Sequence, residues 1–521
     1  MRGRAGGKGA EGLGWDGKVR AMSHAMPLSV SRSAQLDSLE REVLDVLVVG
    51  GGIVGAGVAR DAAMRGLSVA VIDQYDFAFG TSSRSSRLLH GGLRYLAQGR
   101  VGMVREASRE KVTLSRIAPH LAQPLAFIFP TYQKSGWPRW KLRIGVKVYD
   151  WLCGAGNLGR SGGLSRKGVL DLLPGLEQNR LTGGVRYFDA FTNDARLVLD
   201  TIRSAAASGA RAVNYLSLES AGRVGAIWNC QLRCTESDRR VAARAKVVVN
   251  AAGAWASRFS ASRVKLRLTK GVHVVIDGAR LGVAEAVVMT DGPRILFAIP
   301  WGERVILGTT DTDYDGPIDA PDCTAEDVAY VLGIVNRTFP SAGLKQEDVI
   351  SAWSGLRPLL AGPKGKPSDI SRAHQIISGE PGWFDVAGGK LTTYRLMAEQ
   401  TVDRAMAGLG MEARPCRTAA EPILSERGDS SGLTPPPVAR GIVEHYCLRE
   451  WARHLDDVMV RRTGWRFYHR DQMGTAREVA GWMGEALGWD REQMEVELRR
   501  YEAMTWSMAM GWIPPDSPGN L

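Results

Sequence analysis

The clearest pattern of apolar and polar positions lies early in the chain. Residues 45–49 are almost wholly aliphatic, which is typical of a short strand buried in a parallel sheet. A glycine-rich stretch, 50–55, follows at once, and 56–65 has the composition of a helix. Residues 67–72 form a second apolar run, which ends on Asp73. The pattern predicts a strand, a tight turn, a helix and a second strand, in that order.

Gly50, Gly52 and Gly55 have the GxGxxG spacing within this unit. In a dinucleotide-binding fold such glycines make the tight turn, let backbone approach a pyrophosphate and let the helix pack on the strand. The helix N-terminus attracts the phosphates, and Asp73, 23 residues after Gly50, is placed to bond a ribose hydroxyl. The unit therefore predicts a dinucleotide site, although the acid alone does not distinguish NAD from FAD.

Further apolar runs predict other elements of the fold. A stretch rich in Pro, Ser and Gly at 422–437 predicts a linker. Strands are expected at 211–213, 247–250, 272–276, 294–300 and 304–308, and helices from about 393 to 407 and at 438–453 and 475–487.

The composition is that of a globular protein. The chain has 521 residues, of which 44% are hydrophobic and 23% charged, so a disordered, collagen-like or coiled-coil chain is excluded. At about 150 residues per domain, two to four domains are expected. The six cysteines form no CxxC pair, so we expect no metal site and a reducing, cytoplasmic compartment. The sequence contains no run of 18 apolar residues, so we expect no transmembrane helix.

The net charge of +12 favours an anionic partner. Residues 111–170 hold ten basic residues and a single acid. Within them, 134–149 interleaves Lys and Arg with Trp and aliphatic residues, which suits an anionic lipid surface. Alternate residues from Trp140 to Val148 are apolar, as in a strand, whereas Trp140, Ile144 and Val148 also share a helical face. An ordinary solvated basic face is the alternative interpretation.

Residues 1–42 are expected to lie outside the fold. They carry seven basic and five acidic residues with many Gly and Ser, and they lack the apolar core of a signal peptide. We interpret them as a disordered extension or an overlong start, with Met22 or Met26 as the first residue.

Four segments outside the glycine turn are similar to those of one flavoprotein family. They are 81–95 (TSSRSSRLLHGGLRY), 308–311 (GTTD), 354–358 (SGLRP) and 388–395 (GGKLTTYR). Their order and spacing, over roughly residues 43–470, resemble those of FAD-dependent glycerol-3-phosphate dehydrogenase, the respiratory, quinone-linked enzyme. More distantly, the chain is similar to the D-amino-acid-oxidase-like flavoproteins.

The resemblance implies an α/β fold with a Rossmann-like FAD-binding domain, an antiparallel-sheet substrate domain and a C-terminal helical cap. It also favours a helix for the basic segment 134–149. The FAD-dependent oxidoreductase domain is expected at 43–412, a linker at 413–437 and the C-terminal helical domain at 438–521. Within the first domain, the FAD-binding parts are expected at 43–110, 190–262 and 350–412, and the substrate domain at 111–189 and 263–349.

Noncovalent FAD is the cofactor that the resemblance implies. Its pyrophosphate is expected on the glycine turn, its ribose at Asp73 and its adenine near Val213. Because reduced flavin is negatively charged at N1 and O2, a helix N-terminus at 389–392 would stabilise it. The expected cofactor-binding residues are Gly50, Gly52, Gly55, Asp73, Thr81, Ser82, Ser83, Ser86, His90, Gly91, Gly92, Val213, Gly253, Gly389, Lys390, Leu391 and Thr392.

The implied substrate is a small phosphorylated alcohol, whose phosphate needs the fixed, bidentate donors that Arg supplies. The expected substrate-binding residues are Arg94, Tyr95, Arg357 and Arg372. Arg357 is expected in a proline-stiffened turn. A base must take the hydroxyl proton, and His273 and His90 are both candidates. Lys390 would add positive charge near the substrate or the flavin.

The implied reaction is the oxidation of sn-glycerol 3-phosphate to dihydroxyacetone phosphate by hydride transfer to FAD N5, with electrons passed to a membrane quinone. The expected partners are glycerol 3-phosphate, quinone and an anionic membrane surface, without nucleic acid; a homodimer is compatible with the sequence. The protein is expected in the cytoplasm, peripherally attached to the inner face of the cell membrane. The alternative is an oxygen-dependent flavoprotein oxidase that acts on glycerol phosphate or an amine.

Overall fold

Two β-sheets and a C-terminal group of helices make up the part of the chain that the computed structural model describes. The described residues are 31–134, 137–292, 294–361, 374–424 and 430–507. Helices cover both sheets, and the C-terminal helical region contacts the second sheet and a helix that covers the first. The predicted fold class is thus confirmed.

The first sheet has a parallel core built from the apolar runs of the sequence. β1 (Val43–Val49) lies between β2 (Val69–Ile72) and β10 (Arg240–Asn250) and is parallel to both. The other strands are β7 (Arg211–Val213), β8 (Leu216–Val224), β9 (Ile227–Cys234), β17 (Gln375–Ser378) and β18 (Trp383–Ala387). The order across the sheet is β17, β18, β10, β1, β2, β7, and the β8–β9 hairpin joins β10. The strands that follow β1 in the chain are thus added first on one side of it and later on the other. This reversal of strand order creates a crevice at the carboxyl ends of β1 and β10.

Helices pack on both faces of this sheet. α2 (Ile53–Met64) packs against α7 (Asp194–Ala207) and α9 (Tyr394–Gly408). Glycine at position 57 allows the close α2–α9 approach, since a Cβ there would lie 3.0 Å from the Ala398 side chain.

The opposite face of the first sheet carries a helix that the sequence analysis did not predict. α1 (Arg32–Arg41) buries Leu36 and Leu39 against the sheet. The expectation of a disordered extension over 1–42 is therefore wrong for 32–41, whereas residues 1–30 lie outside the described part of the chain.

The second sheet has ten strands and is largely antiparallel. Its strands are β3 (Leu88–Leu89), β4 (Ala122–Tyr132), β5 (Gly162–Leu164), β6 (Leu181–Thr192), β11 (Leu266–Asp277), β12 (Ala286–Asp291), β13 (Arg294–Trp301), β14 (Arg304–Gly308), β15 (Thr312–Asp313) and β16 (Val349–Leu360). β16 pairs with β11 along nearly its whole length. The segment 350–412, expected in the FAD-binding domain, is therefore divided between the two sheets. We propose to count 349–360 with the substrate domain.

The second sheet is flanked by α3 (Leu93–Ala97), α4 (Val101–Ile117), α5 (Arg139–Cys153), α6 (Arg166–Leu172) and α8 (Ala325–Thr338). α5 confirms the helix favoured for the basic segment. Its inner face buries Leu142, Val146 and Tyr149. The apolar alternation in the sequence thus comes from two opposite faces of one helix.

The C-terminal helices are α10 (Arg440–Arg449), α11 (Trp465–Tyr468), α12 (Gln472–Leu487) and α13 (Arg491–Ser507), with a single π-helical turn, Asp457–Arg462, between the first two. Residues 418–422, which precede these helices, remain in contact with α2. The Arg60 guanidinium of α2 donates to the carbonyl oxygens of Thr418, Glu421 and Pro422.

Candidate active site

A cavity of about 1430 Å³ lies where the carboxyl ends of β1, β10 and β18 face the second sheet. It exceeds the roughly 300–1,000 Å³ of an ordinary small-molecule pocket, so an extended ligand and a small one can share it. The predicted site residues in its wall are Gly50, Gly52, Asp73, Thr81, Ser82, Ser86, His90, Gly92, Tyr95, Gly253, His273, Arg357, Gly389, Lys390, Leu391 and Thr392. The structure thus brings together segments that are far apart in the sequence.

Several predicted residues lie elsewhere. Gly55, Ser83 and Gly91 stand behind the wall rather than in it. Val213 is fully buried in the core of the first sheet, and its carbonyl oxygen accepts a hydrogen bond from Asp73 N at 3.1 Å. A side-chain contact of Val213 with an adenine is therefore not supported, and Leu216 and Leu218 line the cavity nearby. The Arg94 side chain and Arg372 lie outside the described part of the structure.

The glycine turn is shaped by the close approach of three segments. Gly50 has a φ of +107°, and a Cβ there would lie 2.6 Å from the Ala251 carbonyl oxygen of the β10 end. A Cβ on Gly55 would lie 1.8 Å from the carbonyl oxygen of Gly50, so helix α2 can start this close to the turn only with glycine. The N-terminal amides of α2 consequently lie at the wall of the cavity, where they attract anionic groups.

Asp73 closes β2 beside this turn. Its Oδ2 accepts a hydrogen bond from Gly51 N at 2.7 Å, and its Oδ1 accepts one from Tyr75 N at 2.9 Å. Burial raises the pKa of the Asp73 carboxyl to about 7, and the two backbone N–H groups oppose that increase. The carboxylate is therefore fixed in orientation at the cavity edge.

The hydroxyl-rich segment after β2 forms a short 3₁₀ turn, Thr81–Ser83. The Ser82 hydroxyl oxygen accepts a hydrogen bond from Ile53 N at 3.0 Å, while the Thr81 hydroxyl donates to the Leu356 carbonyl oxygen at 2.6 Å. These contacts join the glycine turn to β16 of the second sheet. The segment thus connects the two sheets across the cavity.

The opposite wall begins with two left-handed glycines. Gly388 and Gly389 have φ values of +74° and +83°, and a 3₁₀ turn, Leu391–Thr393, leads from them into α9. Thr392 Oγ1 accepts from His90 N at 3.0 Å and donates to His90 O at 3.2 Å. This exchange fixes the 90–92 loop to the start of α9, with its amides near the cavity.

The residues present fit FAD. The glycine turn offers backbone amides without a side chain in the way, and Asp73 stands at the end of the second strand. A Cβ on Gly253 would meet nothing within 4 Å, which leaves space beside the end of β10. A dinucleotide needs this combination of cradle, acid and helix N-terminus.

Arg357 lies in the second-sheet part of the wall. It does not lie in a proline-stiffened turn, as the sequence suggested, but within strand β16, where it pairs with Thr269 of β11. Its guanidinium donates to Thr309 Oγ1 at 3.1 Å and to Asp311 Oδ1 at 3.2 Å. Its rigidity therefore comes from sheet pairing and a carboxylate, while the absence of a side chain on Gly271 makes room for the guanidinium.

His273 lies on β11 in the same wall, and its Nε2 is 2.8 Å from Ser86 Oγ. Its ring stacks on Trp353 with a centroid distance of 5.2 Å. Burial, and secondly the charges of Arg357 and Arg87, lower the pKa of His273 to about 3. The imidazole is consequently neutral near pH 7.

His90 and Lys390 lie across the cavity from these groups. His90 is held through its backbone by Thr392, and the Lys390 ammonium lies 4.0 Å from the centroid of the Tyr95 ring. Both candidate histidines therefore line the cavity, and the structure gives His273 a lowered pKa.

The GTTD motif at 308–311 shapes the same part of the wall. In the structure, Thr309 and Asp311 of this motif orient Arg357. Arg294 and Lys141 also line the cavity and were not predicted as site residues. The GTTD motif could have pointed to Thr309 and Asp311 from the sequence. Arg294 and Lys141 could not be found in this way, because their position at the cavity depends on the tertiary fold.

Comparisons with known proteins agree with this geometry. Residues 45–404 match the family described as FAD dependent oxidoreductase, and residues 420–494 match the C-terminal domain of alpha-glycerophosphate oxidase. A glycerol-3-phosphate dehydrogenase of Mycobacterium leprae is 35% identical over 93% of this chain and 92% of its own length. An aerobic glycerol-3-phosphate dehydrogenase of Staphylococcus aureus is 38% identical over 73% of this chain and 71% of its own length.

A solved structure extends the similarity to three dimensions. The glycerol-3-phosphate dehydrogenase from Bacillus halodurans, complexed with FAD, is 30% identical, with a TM-score of 0.74. The match covers 93% of this chain and 98% of that one.

The lowered pKa of His273 predicts a pH-dependent stability. Between pH 3 and 6.5 the unfolded chain binds a proton at this position and the native state does not, so the contribution of His273 to stability is complete above pH 6.5 and is lost as the pH falls. At pH 5 the loss amounts to about 2 kcal/mol. The free energy of unfolding, measured with urea at pH 7.5 and 5.0, is expected to fall less for His273→Gln than for the wild type. Equal decreases would contradict the assignment.

Proposed function

Since this chain belongs to the FAD-dependent glycerol-3-phosphate dehydrogenase family, we propose that it oxidises sn-glycerol 3-phosphate to dihydroxyacetone phosphate and passes the electrons to a membrane quinone. The observation that carries this proposal is the composition of the cavity wall. A rigid guanidinium and a neutral imidazole lie in the wall beside the expected flavin site, and an apolar arm continues from there to a cationic surface helix.

The substrate phosphate binds at Arg357 in this proposal. The guanidinium is held from one side by Thr309 and Asp311, which fixes its plane before the substrate arrives. A planar, preoriented guanidinium suits the bidentate recognition of a phosphate. The Lys390 ammonium, near Tyr95, adds a second positive charge to the cavity.

His273 accepts the proton of the substrate hydroxyl. FAD, when bound, supplies the acceptor for the hydride that leaves the carbinol carbon. A general base must be unprotonated at the working pH and within hydrogen-bond reach of the hydroxyl. Burial and the neighbouring cations favour the neutral form of His273, and Ser86 orients its ring through Nε2. Arg357, which attracts the phosphate, thus also helps to keep His273 unprotonated, and its charge makes His273 a weaker base until the phosphate is bound.

The apolar arm of the cavity supports a quinone as the electron acceptor. It is lined by Phe129, Trp137, Leu142, Ile144 and Val148. Ile144 is 58% exposed and also lines the cavity, so the arm reaches the surface beside α5. An apolar ring such as that of a quinone is favoured in an arm of this lining, because burial of apolar surface drives its binding.

The outer face of α5 supports peripheral attachment to an anionic membrane at the inner face of the cell membrane. Trp140, Ile144 and Trp151 fall within about 40° of one another on the helix and are 62%, 58% and 75% exposed. Exposed Arg143 and Lys147 flank this apolar stripe. Apolar insertion and basic residues together give stable peripheral binding. Among the described residues, no helix combines the length and apolar character needed to cross a bilayer.

Arg357→Ala is expected to raise the KM for glycerol 3-phosphate by about 30-fold or more, because truncation of one partner of a buried charge pair costs about 2–5 kcal/mol. The flavin spectrum should be unchanged, which shows that the cofactor site is intact. Arg267→Ala is the matched control: Arg267 lies on the adjacent strand, pairs with Asp313 and is absent from the cavity wall. A wild-type KM for Arg357→Ala would remove this residue from the substrate site.

The acceptor is tested by narrowing the apolar arm. Gly145 lines the cavity beside the arm, and a Cβ there would meet nothing within 4 Å, so Gly145→Leu can start a side chain in open space that narrows the arm. We expect quinone reduction to slow by about tenfold or more, because the leucine side chain hinders entry of the quinone ring into the arm. Anaerobic bleaching of the flavin by substrate should be unchanged. Gly102→Leu on α4 is the control, since Gly102 also has open space but does not line the cavity. Rapid peroxide formation with oxygen and no quinone reduction would favour an oxidase instead.

Membrane attachment is tested by cosedimentation with phosphatidylglycerol vesicles. Each basic residue near an anionic surface contributes about 1 kcal/mol, so changing Lys141, Arg143 and Lys147 to Glu should weaken binding by roughly 100-fold or more at low salt. Trp140→Ser with Ile144→Ser should also reduce binding, but with less salt dependence. Val224→Ser, at a 70% exposed valine of β8, is the control for loss of apolar surface. Equal sedimentation of all variants would show that α5 is an ordinary solvated face.

A further inference from the structure

The C-terminal domain reaches the cofactor side of the molecule through two consecutive arginines. Arg461 and Arg462 end the π-helical turn, and both guanidinium groups bind the carboxylate of Asp76, which lies just after β2. In an α-helix, adjacent side chains point about 100° apart. The π-helical turn is a rare conformation that recurs at functional sites, and here two neighbouring cations converge on one acid.

The contacts are short and buried. Arg461 Nε donates to Asp76 Oδ2 at 2.6 Å, and Arg462 Nη2 donates to Asp76 Oδ1 at 3.0 Å. Asn214 Nδ2 donates to Asp76 Oδ1 at 2.9 Å. The side chains of Asp76 and Arg462 are fully buried, and that of Arg461 is 2% exposed. Arg461 also pairs with Asp456 and Asp457. Removing one charge unbalances the remaining buried charges, so the cluster holds the two segments together.

The segment that Asp76 anchors also supports the glycine turn. Ala78 N donates to the Gly51 carbonyl oxygen at 3.1 Å, and Gly51 N donates to Asp73 Oδ2 at 2.7 Å. The Phe77 ring occupies the space where a Cβ of Gly51 would stand, 2.3 Å from its Cδ1. Segment 73–80 therefore covers one side of the turn and supplies part of the cavity wall.

A second contact from the C-terminal domain secures the same segment. Trp451 meets the edge of the Phe77 ring, with centroids 5.6 Å apart and planes at 89°. The Trp451 carbonyl oxygen accepts a hydrogen bond from Asn214 Nδ2 at 2.9 Å. An ion cluster and an aromatic contact from one domain thus act on Asp76 and Phe77, in the segment that begins with Asp73, the acid expected to bind the ribose.

We infer that the C-terminal helical domain retains FAD: Arg461, Arg462 and Trp451 hold segment 73–80 against the glycine turn and so slow release of the cofactor. They are positioning residues, since they act through Asp76 and Phe77. Retention of FAD by this domain depends neither on the proposed substrate nor on the proposed acceptor.

The test is FAD release from the full-length holoenzyme. Arg462→Met keeps the length of the side chain but removes its charge. After dilution, the fluorescence of released FAD is expected to rise about tenfold faster or more than in the wild type, because a preorganised site loses affinity when its support is loosened. Arg462→Lys, which keeps the charge, should restore part of the retention.

A matched control separates cofactor retention from general loss of stability. Arg196→Met breaks the buried ion pairs of Arg196 with Asp200 and with Glu450 of the C-terminal domain, where Arg196 Nη1 lies 2.6 Å from Glu450 Oε2. Arg196 itself does not contact segment 73–80, and the Glu450 carbonyl that accepts from Arg462 Nη2 remains in place. Both variants should unfold at lower temperature, but only Arg462→Met should release FAD faster. Equal release rates at equal loss of melting temperature would overturn the inference.

A milder variant covers the case in which Arg462→Met does not fold. Trp451→Leu leaves the ion cluster intact and removes only the aromatic contact with Phe77. It should also accelerate FAD release relative to Arg196→Met. A wild-type release rate in Trp451→Leu would by itself overturn the inference and assign the domain a purely structural role.

Discussion

The arrangement of this protein depends on how closely backbone can approach backbone at the end of β1. Gly50 N donates to the Ile72 carbonyl oxygen and Ala251 N donates to the Val49 carbonyl oxygen, both at 2.8 Å, so the turn is tied to β2 and β10 at once. A side chain at Gly50 or Gly55 would collide with backbone at 2.6 Å or 1.8 Å. The cavity, the start of α2 and the placement of Asp73 all follow from this contact.

The same few charges serve two needs of the proposed chemistry. Arg357 faces the cavity as a cation for an anionic substrate, and its field, together with burial, disfavours a second positive charge on His273. A base that must be neutral can therefore lie beside cations that bind phosphate. Asp311 accepts a hydrogen bond from the Arg357 guanidinium and so holds it in place from the side.

Local features of the fold could be predicted from the sequence, and long-range ones could not. The first strand, turn and helix follow from a continuous stretch of apolar residues and glycines, whereas Arg357 and Asp311, 46 residues apart, meet only through strand register. Helix α1 was missed because only Leu36 and Leu39 mark its buried face. The alternation of apolar residues in α5 resembled a strand because the helix has apolar residues on two faces. Leu142 and Val146 are buried, whereas Trp140 and Ile144 are exposed. Segment 134–149 needed the family resemblance to favour a helix.

The two sheets are threaded through each other along the chain. The strands of the two sheets alternate along the chain. β3 belongs to the second sheet although it follows β2 of the first, and β16 of the second sheet is followed by β17 and β18 of the first. No single cut in the sequence separates one sheet from the other, so neither could be exchanged by recombination between related genes as an intact unit. Change in substrate preference would have to arise by replacement of individual wall residues on a fixed scaffold. The C-terminal helices, by contrast, are contiguous in sequence, and a genetic exchange that moved them would also move the residues that contact Asp76.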